Sequence, residues 1–205
     1  METPEFNINK RLNRPLLFTF CSVIVTCLCF GFSQPASASL LDDLLGSGYK
    51  TYENSTYNVK VDYPNNWRFL HSSIDKEVQP ETIFSVMFLP PFKSGTMNLG
   101  PSVSIDIDTP TPPPTLEEYK DRIMKNLKEA TEDVKSISLS STQLDGEQAY
   151  RIENDIWLLD HWERSISIYS VKNGIVNEIS ALGEPEEMEK NSATIETMFK
   201  SVKFH

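Results

Sequence analysis

The sequence predicts an α+β domain, with helices packed on one antiparallel sheet. Three observations carry that prediction. Short runs such as "YNVKVDY" and "SVSIDID" alternate apolar and polar residues, and period two marks a half-buried strand. Asp145-Gly146 and Asn173-Gly174 separate neighbouring runs in the manner of hairpin turns. Two other segments, one beginning at Leu116 and one at Pro185, space their apolar residues by three and four, the period of an amphipathic helix.

The first residues read as a targeting segment. Lys10, Arg11 and Arg14 precede the uncharged run 15–32, and "SQPASAS" follows. Positive charge, an apolar core and an Ala-x-Ala site make a secretory signal peptide over 1–38, cut after Ala38. The alternative is a retained anchor, because the apolar run is borderline for spanning a bilayer. With no twin arginine, a Sec-type route to a periplasm or thylakoid lumen is expected. All three cysteines lie in that run, so 39–205 has none, which excludes disulfides, zinc thiolates and thiol nucleophiles there. Removing 1–38 leaves 16 basic and 27 acidic residues, a net charge of −11. Such a balance argues against nucleic acid or anionic lipid as the main partner. It suits a soluble protein that meets a basic surface or divalent cations.

Residues 39–48, "SLLDDLLGSG", form a leucine-rich arm, and the domain proper spans 49–205. In the stretch "TYENSTYNVKVDYPNNW", Tyr52 begins a pair of strands. Tyr57, Val59, Val61 and Tyr63 share one face of the second. Pro64 stops it, Asn65-Asn66 turn the chain, and Trp67 and Phe69 return to the apolar side. Trp67 is expected to plug the core. A strand follows within 82–89, ended by Pro90-Pro91. The segment 90–101, with two glycines and three prolines, reads as a loop. In "SVSIDID", Val103, Ile105 and Ile107 point inward, while Ser104, Asp106 and Asp108 point outward.

Thr115 and Glu118 form a capping box for a helix over 116–131. Leu116, Tyr119, Ile123, Leu127 and Ala130 supply its apolar stripe. Four further strands lie in "SISLSST", "QAYRIENDIW", "WERSISIYSV" and "GIVNEISAL". Pro185 then opens a helix with an acidic first turn and a core stripe of Met188, Ile195, Met198, Phe199 and Val202, and "SVKF" closes the chain.

The chemistry-bearing residues are few. Asp106 and Asp108 leave the same face of one strand, about 7 Å apart, close enough to share a calcium ion with loop oxygens. His161 in "DHWE" is a ligand type for zinc, manganese or copper. Solvent-facing aspartates and a polar hairpin loop explain the same residues. There is no G-x-S-x-G elbow, H-E-x-x-H pair, phosphate loop or dinucleotide fingerprint, so nothing points to an enzyme.

In order along the chain, "YENSTYNVKVDYPNNW", "PSVSIDIDTP…TLEEYKDRI", "LDGEQAYRIE" and "NGIVNEISALGEPEEMEKNSATIETMFKSVKF" resemble the PsbP and PsbP-like family, extrinsic proteins of photosystem II. The resemblance implies an α-β-α sandwich around a central antiparallel sheet and no catalysis. It implies a lumenal protein, peripheral to the membrane, that docks on photosystem II subunits and assists assembly or stability. The alternatives are a generic extracytoplasmic binding module in a non-photosynthetic host, or a calcium- or manganese-handling protein that uses Asp106, Asp108 or His161. Plant members carry a metal-linked histidine in the strand before the N/D-G turn, whereas residues 164–167 here have none. Docking is expected of the arm and the loop 90–101, through Phe92, Lys93, Met97 and Leu99.

Overall fold

The computed structural model describes residues 48–72, 74–77, 79–91, 100–130, 133–158 and 160–204. The signal peptide expected over 1–38, the arm up to residue 47, and the docking residues Phe92, Lys93, Met97 and Leu99 lie outside the described residues. The chain runs through β1 (Tyr49–Asn54), β2 (Val59–Pro64), β3 (Arg68–His71), β4 (Thr82–Leu89) and β5 (Ser102–Asp108). It continues through α1 (Leu116–Glu129), β6 (Val134–Leu144), β7 (Glu147–Leu158), β8 (His161–Lys172) and β9 (Ile175–Gly183). It ends with α2 (Pro185–Lys190), α3 (Ser192–Ser201) and β10 (Lys203–Phe204).

The architecture is mostly antiparallel sheet with few helices. Where the sequence predicts one sheet, two form: three strands in the order β1-β2-β10, and seven in the order β3-β4-β5-β9-β8-β7-β6. The division falls at Pro64. Trp67 N–H donates to the Pro64 carbonyl at 2.9 Å, and the turned chain then pairs with β4 in the other sheet. Trp67 is buried as expected. Phe69, expected inward beside it, is instead 40% exposed, although its ring meets Tyr52 edge-on at 5.0 Å.

One face of the large sheet carries the main core. Val86, Phe88, Val103, Ile105 and Ile179 pack there against β2 and the C-terminal helices. The whole predicted C-terminal stripe, from Met188 to Val202, is buried in it. The single helix predicted after Pro185 is two helices, because the chain leaves helical geometry at Asn191 (φ −101°). Pro185 occupies the first turn of α2, where its missing N–H costs no hydrogen bond.

The other face is covered by α1, whose Tyr119 and Leu127 pack with Ile152, Tyr169 and Val176. Its start is the predicted capping box: Glu118 N–H donates to Thr115 Oγ1 at 3.3 Å, and Thr115 N–H to Glu118 Oε2 at 2.7 Å. Both predicted hairpins have positive φ at their two central residues, Asp145-Gly146 and Asn173-Gly174, as a type I′ turn requires. At Gly174 a Cβ would also lie 2.5 Å from Pro113 Cβ, so this turn needs glycine twice over.

Candidate functional site

Alternation along β5 sends Val103, Ile105 and Ile107 into the main core and Ser104, Asp106 and Asp108 to the opposite face. The sequence alone sends those three to water. They are instead half-buried, because α1 lies over this face. Period two separates two faces but does not say whether the second is covered.

Strand register then assembles a row of polar groups. Ser85 on β4 stands opposite Asp106, Asp106 opposite Glu178 on β9, and Glu178 opposite Tyr169 on β8. One step along, Ser104 and Ser180 bring their hydroxyl oxygens within 2.8 Å. Asp108 is the diagonal neighbour of Glu178, since its own partner is Val176.

Withdrawing these carboxyls from water favours their neutral forms. Burial pushes Asp106 up to about 6, and the charge of Asp108 adds to the rise. Burial pushes Glu178 up to about 8, with Asp106 as the next cause. Asp108 is also raised, again first by burial. Asp106 and Glu178 therefore both favour the neutral form more than an exposed carboxyl does. Tyr119 and Tyr169 are raised too, by burial and then by the charge of Glu178.

Between this row and α1 lies a cavity of about 390 Å³. Asp108, Glu178 and Tyr169 line one part of it, and Ile123, Leu127 and Ile152 another. Arg122 and Glu81 also reach it. Their ion pair, at 3.7 Å, ties α1 to the segment before β4, and the Arg122 guanidinium lies 4.7 Å over the Tyr119 ring. Among the described residues, three buried side-chain oxygens have no hydrogen-bond partner: Ser85 Oγ, Asp108 Oδ1 and Tyr169 Oη. Chemically, the arrangement can hold a proton and offer acceptors to a donor. Neither His71 nor His161 lines it.

The structure brings Asp106 and Asp108 together with Glu178 and leaves His161 apart. His161 is eight residues along β8 from Tyr169, roughly 26 Å at strand rise. There its two ring nitrogens are held by Asp160 at 2.9 Å and Glu163 at 3.0 Å. These partners, Asp160 first, raise its pKa. Among the described residues no three His, Cys, Asp or Glu side chains are grouped to hold a metal ion. Sequence reasoning missed Glu178, Tyr169 and Arg122. A signal existed for Glu178, the one charged residue in the otherwise uncharged strand "IVNEISALG".

A PsbP-like fold is the class that this architecture defines. Against the solution structure of cyanobacterial PsbP from Synechocystis the TM-score is 0.54, at 15% identity, over 87% of this chain and 99% of that one. A Pseudomonas aeruginosa protein, PA94, gives a TM-score of 0.48 at 11% identity over 72% of this chain and 90% of its own. The Saccharomyces cerevisiae Ran-binding protein Mog1p gives 0.42 at 11% identity over 77% and 95%. At these identities the similarity is one of fold. No protein-family model matches the chain. No curated protein matches it either.

Proposed function

We propose that this chain is a non-enzymatic, exported PsbP-like protein that docks on a membrane protein complex. The complex we name is photosystem II, on the lumenal side, where the protein assists assembly or stability. The fold it shares with cyanobacterial PsbP over 87% of this chain and 99% of that one supports the reading most strongly. The signal-like residues 1–38 and the acidic balance of the remainder agree with it. Docking is assigned to the arm 39–48 and the loop 90–101, with Phe92, Lys93, Met97 and Leu99 as contacts, because loops carry recognition on a rigid scaffold. In this reading the layers are those of an α-β-α sandwich. Any calcium or manganese handling falls to Asp106 and Asp108, which share a face.

The test is a tagged chain expressed in its own host, followed by mild solubilisation and a native gel. Co-migration with photosystem II subunits is the expected result. Migration as a free protein, or a host genome without photosystem genes, overturns the photosystem assignment and leaves the generic extracytoplasmic binding module.

A further inference from the structure

The cavity beneath α1 has features that the docking reading does not use. Its volume of about 390 Å³ falls within the range of small-molecule sites, about 300–1,000 Å³. Its walls carry both acidic and apolar side chains, with Ser167 standing opposite Ile152 between them. Asp108 and Glu178 stand on β5 and β9, and Ile152 on β7, three strands from β5 in the sheet order. That separation is roughly 14 Å at the usual strand spacing. From above, α1 adds Ile123 and Leu127 to the apolar part.

Although Thr82, Asn154, Ser165 and Ser167 also line the cavity, two oxygens of its polar part stand without a partner. Tyr169 is 1% exposed and its hydroxyl has no partner, and Asp108 Oδ1 has none either. Burying such oxygens costs free energy that a donor brought by a ligand recovers. Arg122, the cation in the wall, already pairs with Glu81 and lies over Tyr119. An ammonium group carries three N–H donors and no acceptor, enough to serve the unpartnered Asp108 Oδ1 and Tyr169 Oη and still reach the Glu178 carboxyl beside them. A bare metal ion would leave the apolar walls unused.

We propose that this cavity binds a small molecule joining an apolar body to a protonated amine. The amine sits among Asp108, Glu178 and Tyr169, and the apolar body lies against Ile123, Leu127 and Ile152. This site is independent of docking on a membrane complex.

The test titrates the full chain by calorimetry with 2-phenylethylamine, its neutral isostere 2-phenylethanol, and the anion phenylacetate. Saturable amine binding is expected, about tenfold or more tighter than the alcohol, a difference of about 1.4 kcal/mol, with no binding of the anion. Asp108→Asn should weaken the amine by about tenfold while leaving the alcohol unchanged. Tyr169→Phe should weaken it about threefold. This second variant removes only a hydroxyl without a protein partner, so it reports even if Asp108→Asn fails to fold. Equal affinity for amine and alcohol, preference for the anion, no saturable amine binding, or amine affinity unchanged by Tyr169→Phe would each overturn the proposal.

Discussion

The two faces of the seven-stranded sheet come from the same strands, one residue out of step, and they are built on opposite principles. Toward β2 and the C-terminal helices, Val86, Phe88, Val103, Ile105 and Ile179 are fully buried. Hydrocarbon removed from water stabilises by about 25 cal/mol per Å². Toward α1, the neighbouring positions are Ser85, Ser104, Asp106, Glu178 and Ser180. Polar and ionisable groups cost free energy when buried unless they are paired or neutralised. The first face holds the fold together. The second gives up stability and keeps a cavity with titratable walls, the combination that marks a candidate site.

The contrast can be broken most severely on the hydrocarbon side. Phe88→Ala should destabilise by about 3–5 kcal/mol, read from the midpoint of urea denaturation. A loss under about 1 kcal/mol would mean that this face is not the tightly packed one.

On the polar face the sign should reverse. Glu178 has a folded pKa of about 8 against an ordinary 4.5, so the folded state holds its proton more tightly than the unfolded state does. The stability that this group contributes is fully present below pH 4.5, declines as pH rises toward 8, and is lost above that. Asp106 acts in the same direction between 3.8 and about 6. Asp108 shares β5 with it and is met by Arg122 from α1, while Tyr119 on α1 and Tyr169 on β8 feel the charge of Glu178. Glu178→Gln should therefore stabilise the protein at pH 9 by on the order of a few kcal/mol and change little at pH 4. Denaturation curves at the two pH values check this, and a variant less stable at pH 9 would refute the buried-acid reading.

Smaller effects concern α1, which covers the polar face. Thr115→Ala removes its capping box and should cost about 1 kcal/mol, visible as a lower thermal midpoint. Lys125→Ala breaks only the exposed pair with Glu129 and should shift stability by less than about 0.5 kcal/mol. If the second change matched the first, surface charge rather than capping would be holding the helix down.

Much of the scaffold was legible because its causes are local. The Thr115–Glu118 box, the two X-Gly turns and the proline that ends β2 each act within four residues, and each stands where the sequence puts it. The site was legible only in part. Asp106 and Asp108 were identified as a same-face pair, but as solvent-facing groups. Their partner Glu178 lies about seventy residues away, joined to them by strand register. His161, the third candidate, stands on the same face of the sheet toward its far end, beyond the reach of the other two.

The sequence by itself determined most of the strands, the two X-Gly turns, the start of α1 and the apolar side of β2 and β5, though neither the break at Asn191 nor the outward turn of Phe69. Those properties follow from hydrogen bonding, backbone sterics and side-chain period over a few residues. Only the tertiary structure decided that the strands divide into two sheets, that α1 lies over Asp106 and Asp108, and that Glu178 stands opposite Asp106. These outcomes depend on which distant surfaces meet, and polar alternation looks the same whether water or a helix covers it.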